Sequence, residues 1–217
     1  MRIVAGTWRG RALTAPPGRT TRPTADRVRQ ALFDMLLHAP WAGRDRIAGA
    51  RVLDAFAGTG ALGLEALSRG AARCVFFETD RAALAALRAN IAACGAGDAA
   101  LVRPADVTRP PPGPACDLLF LDPPYGKGLP ARALAALGAA GWIAPGALVV
   151  VETAADEALP EDGSLLSGFL LAAPPLAERR HGAARLSVWR AAPGQTATGQ
   201  TATGQTATGR AATGMPE

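Results

Sequence analysis

From Arg51 onward the sequence repeats one unit: a short apolar run, a loop, then an alanine-rich stretch of helical length. RVLDAF (residues 51–56) precedes ALGLEALSRG (61–70), and CVFFE (74–78) precedes DRAALAALRANIAACG (80–95). ALVRPAD (100–106) leads to CDLLFLD (116–122), PARALAALGAAG (130–141) and ALVVVET (147–153). Strands that alternate with helices build a parallel, doubly wound α/β sheet with helices on both faces. Leu118–Leu121 is apolar at every position, as a strand covered on both faces requires. Near the end, GFLLAAPP (168–175) and ARLSVWRA (184–191) read as two further strands. A basic turn, Glu178-Arg179-Arg180-His181-Gly182, joins them, and they add an antiparallel edge to a mostly parallel, seven-stranded sheet.

Ligands of open parallel sheets bind outside the carboxyl ends of the strands. Acids collect there: Asp54 after strand one, Glu78 and Asp80 after strand two, Asp106 after strand three and Asp122 after strand four. Taken singly, each reads as a helix cap or a loop acid; as a set they surround one crevice. Gly58-Thr59-Gly60-Ala61-Leu62-Gly63 matches the dinucleotide fingerprint G-x-G-x-x-G, and Glu78 follows about 20 residues later, so an NAD-dependent enzyme competes as a reading. Two details count against it. Asp54 would repel a pyrophosphate, and the glycines begin several residues beyond the strand, in a wider loop than the dinucleotide turn. S-adenosylmethionine, with a ribose, an adenine and an amino-acid end but no phosphate, fits better. Glu78 would accept from the ribose hydroxyls and Asp106 from the adenine amine. Gly58 and Gly60 would admit the methionine part closely. Asp54, Phe56, Asp80 and Val107 complete the expected cofactor contacts.

FLDPPYGKG (120–128) ends an apolar strand in an acid, two prolines and an aromatic. The nitrogen of a base amine is a weak nucleophile, because its lone pair is delocalised into the ring. Acceptors for the amine hydrogens help it, and Asp122 with the Pro123 carbonyl supplies two. Pro123 and Pro124 lack an N–H and hold φ, so the loop is rigid. Tyr125 offers a face on which an extruded base stacks. These four are the expected catalytic residues. A strand-terminating turn is the plainer reading of the motif in isolation.

The first fifty residues differ in character. Arg2, Arg9, Arg11, Arg19, Arg22, Arg27 and Arg29 stand against one acid, Asp26, in the first thirty positions. RIVAGTWRGRALTAP (2–16) alternates and turns like a small β-hairpin. TADRVRQALFDML (24–36) then reads as a helix capped by Thr24, with Val28, Leu32, Met35 and Leu36 on one face. The net charge of +5 over 217 residues favours an anionic partner. Cys74, Cys94 and Cys116 contain no CxxC, so neither a disulfide framework nor a metal site is indicated. Ala133–Val151 is uncharged, but Gly141, Pro145 and Gly146 break it into helix, turn and strand rather than a membrane span. No signal segment is visible, and a cytoplasmic monomer is expected. From Gly194 the chain repeats GQTAT without large apolar side chains and is expected to be disordered. The expected organisation is an Arg-rich extension (1–50), a methyltransferase domain (51–193) and a repeat tail (194–217).

RIVAGTWRGRAL and RPTADRVRQALFDML within residues 2–36, DAFAGTGALGLEALSRGA (54–71) and LDPPYGKG (121–128) together resemble the RsmD-type methyltransferases over roughly residues 2–190. The resemblance implies a Rossmann-like class I methyltransferase fold with an added N-terminal β-hairpin. It also implies use of S-adenosylmethionine to methylate N2 of a guanine in 16S rRNA, on the 30S subunit or an assembly intermediate. D-P-P-Y is shared with adenine-N6 methyltransferases, which supply the alternative reading on DNA or RNA. In that light the extension over residues 1–50 is RNA-binding, and Arg9, Arg11, Arg22 and Arg29 are candidate phosphate contacts. Trp8 is either an RNA-stacking residue or the hairpin's own core. Thr24 and Arg27 either close over the methionine end of the cofactor or serve as a cap and a solvated face. The chain departs from the family pattern at Gln30 and at His181-Gly182-Ala183.

Overall fold

The computed structural model describes residues 1–16, 23–42, 46–157 and 174–192. Arg22, residues 168–173, the repeat tail and the Thr24 side chain lie outside the described residues. Within them the order is α1 (Pro23–His38), β1 (Arg51–Asp54), α2 (Ala61–Ser68), β2 (Arg73–Phe77), α3 (Arg81–Cys94), β3 (Ala100–Arg103) and β4 (Cys116–Leu121). Then follow α4 (Leu129–Ala139), β5 (Ile143–Ala154), β6 (Ala177–His181) and β7 (Ala184–Arg190). The seven strands form one sheet in the order β3-β2-β1-β4-β5-β7-β6. β1 to β5 are mutually parallel, and β7 runs antiparallel to both β5 and β6.

Alternation along the strands divides the interior in two. Val52, Cys74, Phe76, Leu118, Phe120, Leu148, Val150, Leu186 and Val188 face one core, built with α1, α2 and α3. Their neighbours Leu53, Val75, Phe77, Leu119, Leu121, Val149, Val151 and Trp189 face the other, built with α4 and Trp142. The period of two in a strand produces this division. It explains why the inner runs Val52-Leu53, Leu118–Leu121 and Leu148–Val151 are apolar at every position.

Four local expectations are corrected. Glu178–His181, expected as a turn, is strand β6, and the turn is only Gly182-Ala183. Charged residues suit an edge strand, which must resist pairing with other chains. Pro174 and Pro175, expected to end a strand, are not in one. Strand β5 starts at Ile143 and runs through Pro145 and Gly146, where its register with β4 shifts between Cys116 and Leu118. A bulge tolerates a proline that a regular ladder would not. Helix α1 begins at Pro23, one residue ahead of the expected cap, because proline is pre-shaped for the first helical turn.

The N-terminal hairpin is narrow. A single antiparallel bridge joins Arg2 and Ala12, supported by Ile3 N–H donating to the Arg11 carbonyl at 2.9 Å and Gly10 N–H to Ile3 at 2.8 Å. Ile3, Leu13, Phe33, Leu36 and Ile47 all enter the same core as the sheet.

Candidate active site

β1 and β2 deliver the glycine loop and its acids. Asp54, the last residue of β1, is buried and accepts the Gly63 N–H of α2 at 3.0 Å. Burial, partly offset by that bond and reinforced by the charge of Glu78, pushes its carboxyl up to about 7. Asp54 therefore shapes the loop from beneath rather than lining the crevice. Glu78 follows β2. One oxygen accepts Gly58 N–H at 2.8 Å, and the other accepts Thr79 and Asp80 N–H at 2.7 and 2.8 Å. Asp80 caps α3 by accepting Ala83 N–H at 2.8 Å.

The three fingerprint glycines separate by role. A Cβ on Gly58 would meet open space, so only this glycine presents bare backbone to the crevice. Gly60, expected to do the same, has φ +79° and would place a Cβ 2.4 Å from Leu87. A Cβ on Gly63 would lie 2.3 Å from Phe76, so its absence lets α2 seat closely on β2. Beyond β3, Asp106 accepts both the amide and the hydroxyl of Thr108 at 2.8 Å, which holds its carboxyl below the usual range. Val107 is buried in the core beside α4, and Phe56 packs partly against it.

β4 sits between β1 and β5, which places Asp122 next to both the glycine loop and the end of β5. Asp122, Pro124 and Tyr125 are exposed and Pro123 is buried, so the loop is anchored at its second residue. Two residues not anticipated from the sequence fix the rest. Tyr125 donates its hydroxyl to Glu152 of β5 at 2.5 Å, and Gly126 N–H donates to Glu157 at 3.0 Å. Although the Tyr125 ring is exposed, partial desolvation of its hydroxyl raises it above its ordinary value, and the Glu152 bond and charge add to this, so the phenol stays a donor. Glu152 had a signal in the sequence: it is one more acid closing an apolar strand, VVVET.

The hairpin docks onto α2 and α3. Fully buried Glu65 accepts Val4 and Ala5 N–H at 2.8 and 3.0 Å and pairs with Arg69 at 2.8 Å and Arg29 at 3.6 Å. Arg29, expected to contact phosphate, is buried and donates to Asp26 and the Arg2 carbonyl. A buried carboxylate needs its cations, and Arg29 is one of them. Ser68 donates to the Ala5 carbonyl at 2.6 Å and accepts Trp8 N–H at 2.9 Å. Trp8 packs partly against the core. Arg9 and Arg11 are exposed. Asn90 of α3 ties the hairpin's exit to the glycine loop. Its amide donates to the carbonyls of Thr14 at 3.0 Å and Thr59 at 2.9 Å, and its oxygen accepts Thr14 N–H at 2.8 Å.

Among the described residues no group of three or more His, Cys, Asp or Glu could hold a metal, and no helix is long and apolar enough to cross a membrane. The family model described as "Conserved hypothetical protein 95" matches residues 1–169. Ribosomal RNA small subunit methyltransferase D of Escherichia coli K12 is 42% identical over 161 residues, covering 74% of this chain and 78% of the relative. Its counterpart in Haemophilus influenzae is 38% identical over 173 residues, covering 76% and 86%. The solved structure of the yhhF protein of Escherichia coli superposes with TM-score 0.74 at 36% identity, over 89% of this chain and 99% of that one. An N-methyltransferase, NodS of Bradyrhizobium japonicum, shares the fold alone, with TM-score 0.58 at 13% identity over 79% of this chain and 98% of that one. A seven-stranded sheet with one reversed strand beside β5, the D-P-P-Y loop after β4 and these relatives agree: the chain belongs to the ribosomal RNA small subunit methyltransferase D family, with the class I methyltransferase fold.

Proposed function

We propose that this protein transfers a methyl group from S-adenosylmethionine to N2 of a guanine in 16S rRNA of the small ribosomal subunit. The observation that carries this reading is the loop after β4. Asp122 is exposed there on a backbone stiffened by two prolines, and Tyr125 is held beside it by Glu152.

The residues fit S-adenosylmethionine better than a dinucleotide. A pyrophosphate needs free amides at the glycine loop and the start of the following helix. Here Gly58 N–H is taken by Glu78 and Gly63 N–H by Asp54. A ligand without phosphate and with a cationic centre suits a loop so furnished with carboxylates. Glu78 would hold the ribose hydroxyls, Asp106 and the backbone at Val107 the adenine, and bare Gly58 the methionine part. When bound, the cofactor supplies an electrophilic methyl on a sulfonium.

The protein's own part is placement. Asp122 and the Pro123 carbonyl accept the two hydrogens of the guanine amine and turn its lone pair outward. The Tyr125 ring supports the extruded base. The Tyr125 hydroxyl, spent on Glu152, fixes the ring's orientation. The bound geometry carries the rate enhancement. Exposed Arg9 and Arg11 supply phosphate contacts that position without reading sequence.

The test is incubation with radiolabelled S-adenosylmethionine and 30S subunits, assembly intermediates or naked 16S rRNA from cells lacking the protein. The expected product is N2-methylguanine in 16S rRNA. N6-methyladenine would instead support the second reading, which the D-P-P-Y loop also accommodates. No labelled nucleoside on any substrate would refute both.

A further inference from the structure

The sheet edge beside α1 carries a groove that methyl transfer itself does not use. Two adjoining cavities, of about 270 and 380 Å³, share Met35 of α1 and Arg179 of β6. The smaller has Met35 and Leu186 in its floor and Arg179 and His181 at its rim. The larger continues past His38 and Trp41.

Strand register fixes where this groove lies. Glu152, which holds Tyr125, pairs with Leu186, and Leu186 pairs with Arg179. Directly paired residues of antiparallel strands project to the same face. Glu152, Leu186 and Arg179 therefore form one row, and at about 4.8 Å per strand the Arg179 backbone lies about 10 Å from that of Glu152. From His181, at the active-site end, the groove follows β6 back to Ala177, a run of about 13 Å.

Its chemistry is that of a nucleic-acid track. Arg179 and Arg180 are exposed, and among the described residues no carboxylate forms an ion pair with either. Asp34, the acid in the larger cavity, accepts from Gln30 at 2.6 Å. Single-stranded nucleic acid is held by cationic grooves with apolar or aromatic surfaces for its bases. A nucleotide extruded into the D-P-P-Y loop leaves its neighbour unstacked and in need of such a surface.

We propose that the α1–β6 groove binds the RNA strand adjacent to the methylated nucleotide. Arg179 grips a phosphate through its guanidinium, and the floor at Met35 and Leu186 receives the neighbouring base and ribose. The proposal rests on the RNA-methyltransferase reading.

The test uses the full chain with 16S rRNA and 30S particles. Arg179→Ala should raise KM for RNA roughly tenfold, with a smaller effect on kcat. It should lower the slope of log affinity against log salt by about 1. Arg179→Glu should be worse and Arg179→Lys intermediate, while affinity for S-adenosylmethionine stays at the wild-type value and reports a folded protein. A photocrosslinking amino acid at exposed Ala31 should join to RNA within a few nucleotides of the methylated position. An unchanged KM and salt slope in Arg179→Glu would overturn the groove proposal, as would crosslinks confined to ribosomal proteins or to distant RNA. Absence of methylation by the wild-type enzyme would instead overturn the underlying reading.

Discussion

The Glu78 carboxylate accepts the Gly58 amide at 2.8 Å, so the acid that closes β2 also holds the one glycine of the loop that faces open space. On the proposed reading the same side chain binds the cofactor and shapes the loop that receives it. Glu78→Ala should weaken S-adenosylmethionine binding about 10- to 100-fold, the scale of a lost charged hydrogen bond or two. Titration calorimetry reads this directly, and wild-type affinity would remove Glu78 from the cofactor site.

Asp122 should behave in the opposite way. On the proposed mechanism Asp122→Ala removes an acceptor for the amine hydrogens, and should cost on the order of 100- to 1000-fold in kcat. Cofactor affinity should change little. Single-turnover methylation alongside equilibrium binding separates the two effects, and equal losses in both would contradict the assigned role.

Tyr125 combines a ring and an anchor. Tyr125→Ala should lower kcat/KM for RNA roughly 10- to 100-fold, the value of one base–aromatic stack. Tyr125→Phe keeps the ring but loses Glu152, and should fall between Tyr125→Ala and wild type. If the two variants are equal, the hydroxyl contact rather than the stack matters.

Glu65 anchors the hairpin with no exposure at all. Glu65→Ala strands Arg69, leaves Arg29 with Asp26 as its one carboxylate, and leaves the Val4 and Ala5 amides without their acceptor. The expected cost is about 3–5 kcal/mol of unfolding free energy. Urea denaturation measures it, and a loss below about 1 kcal/mol would argue against this cluster.

Asp54 sets a pH dependence. Its carboxyl stands near 7 when folded, against an ordinary 3.8. The folded state therefore binds the proton more tightly. The resulting stability is fully present below about 3.8 and is lost as pH rises to about 7. Asp54→Asn should flatten that part of the profile, because the amide oxygen still accepts from Gly63. An unchanged profile would assign the slope to another group.

Much of this was legible in the sequence, for physical reasons. The parallel sheet follows from strand–helix alternation, and the acids stand out as a set at the strand ends, although singly Asp54 and Asp80 turn out to hold backbone amides. The mistakes share a cause: tertiary context overrode local pattern. Arg29 looked like one more surface cation until Glu65, thirty-six positions away, turned out to be buried beside it. Glu178–His181 looked like a turn because charge masks a strand at a sheet edge. Gly60 looked open because the loop pattern carries no information about Leu87.

Asn90 carries a consequence for how the molecule opens. Its amide donates at once to Thr14 and to Thr59, so the arm cannot peel from α3 without breaking the brace that also steadies the glycine loop. The N-terminal segment and the loop should therefore exchange their amide hydrogens as one cooperative unit, with a common opening free energy. A ligand that quiets the loop would, through a single side chain, also quiet the arm.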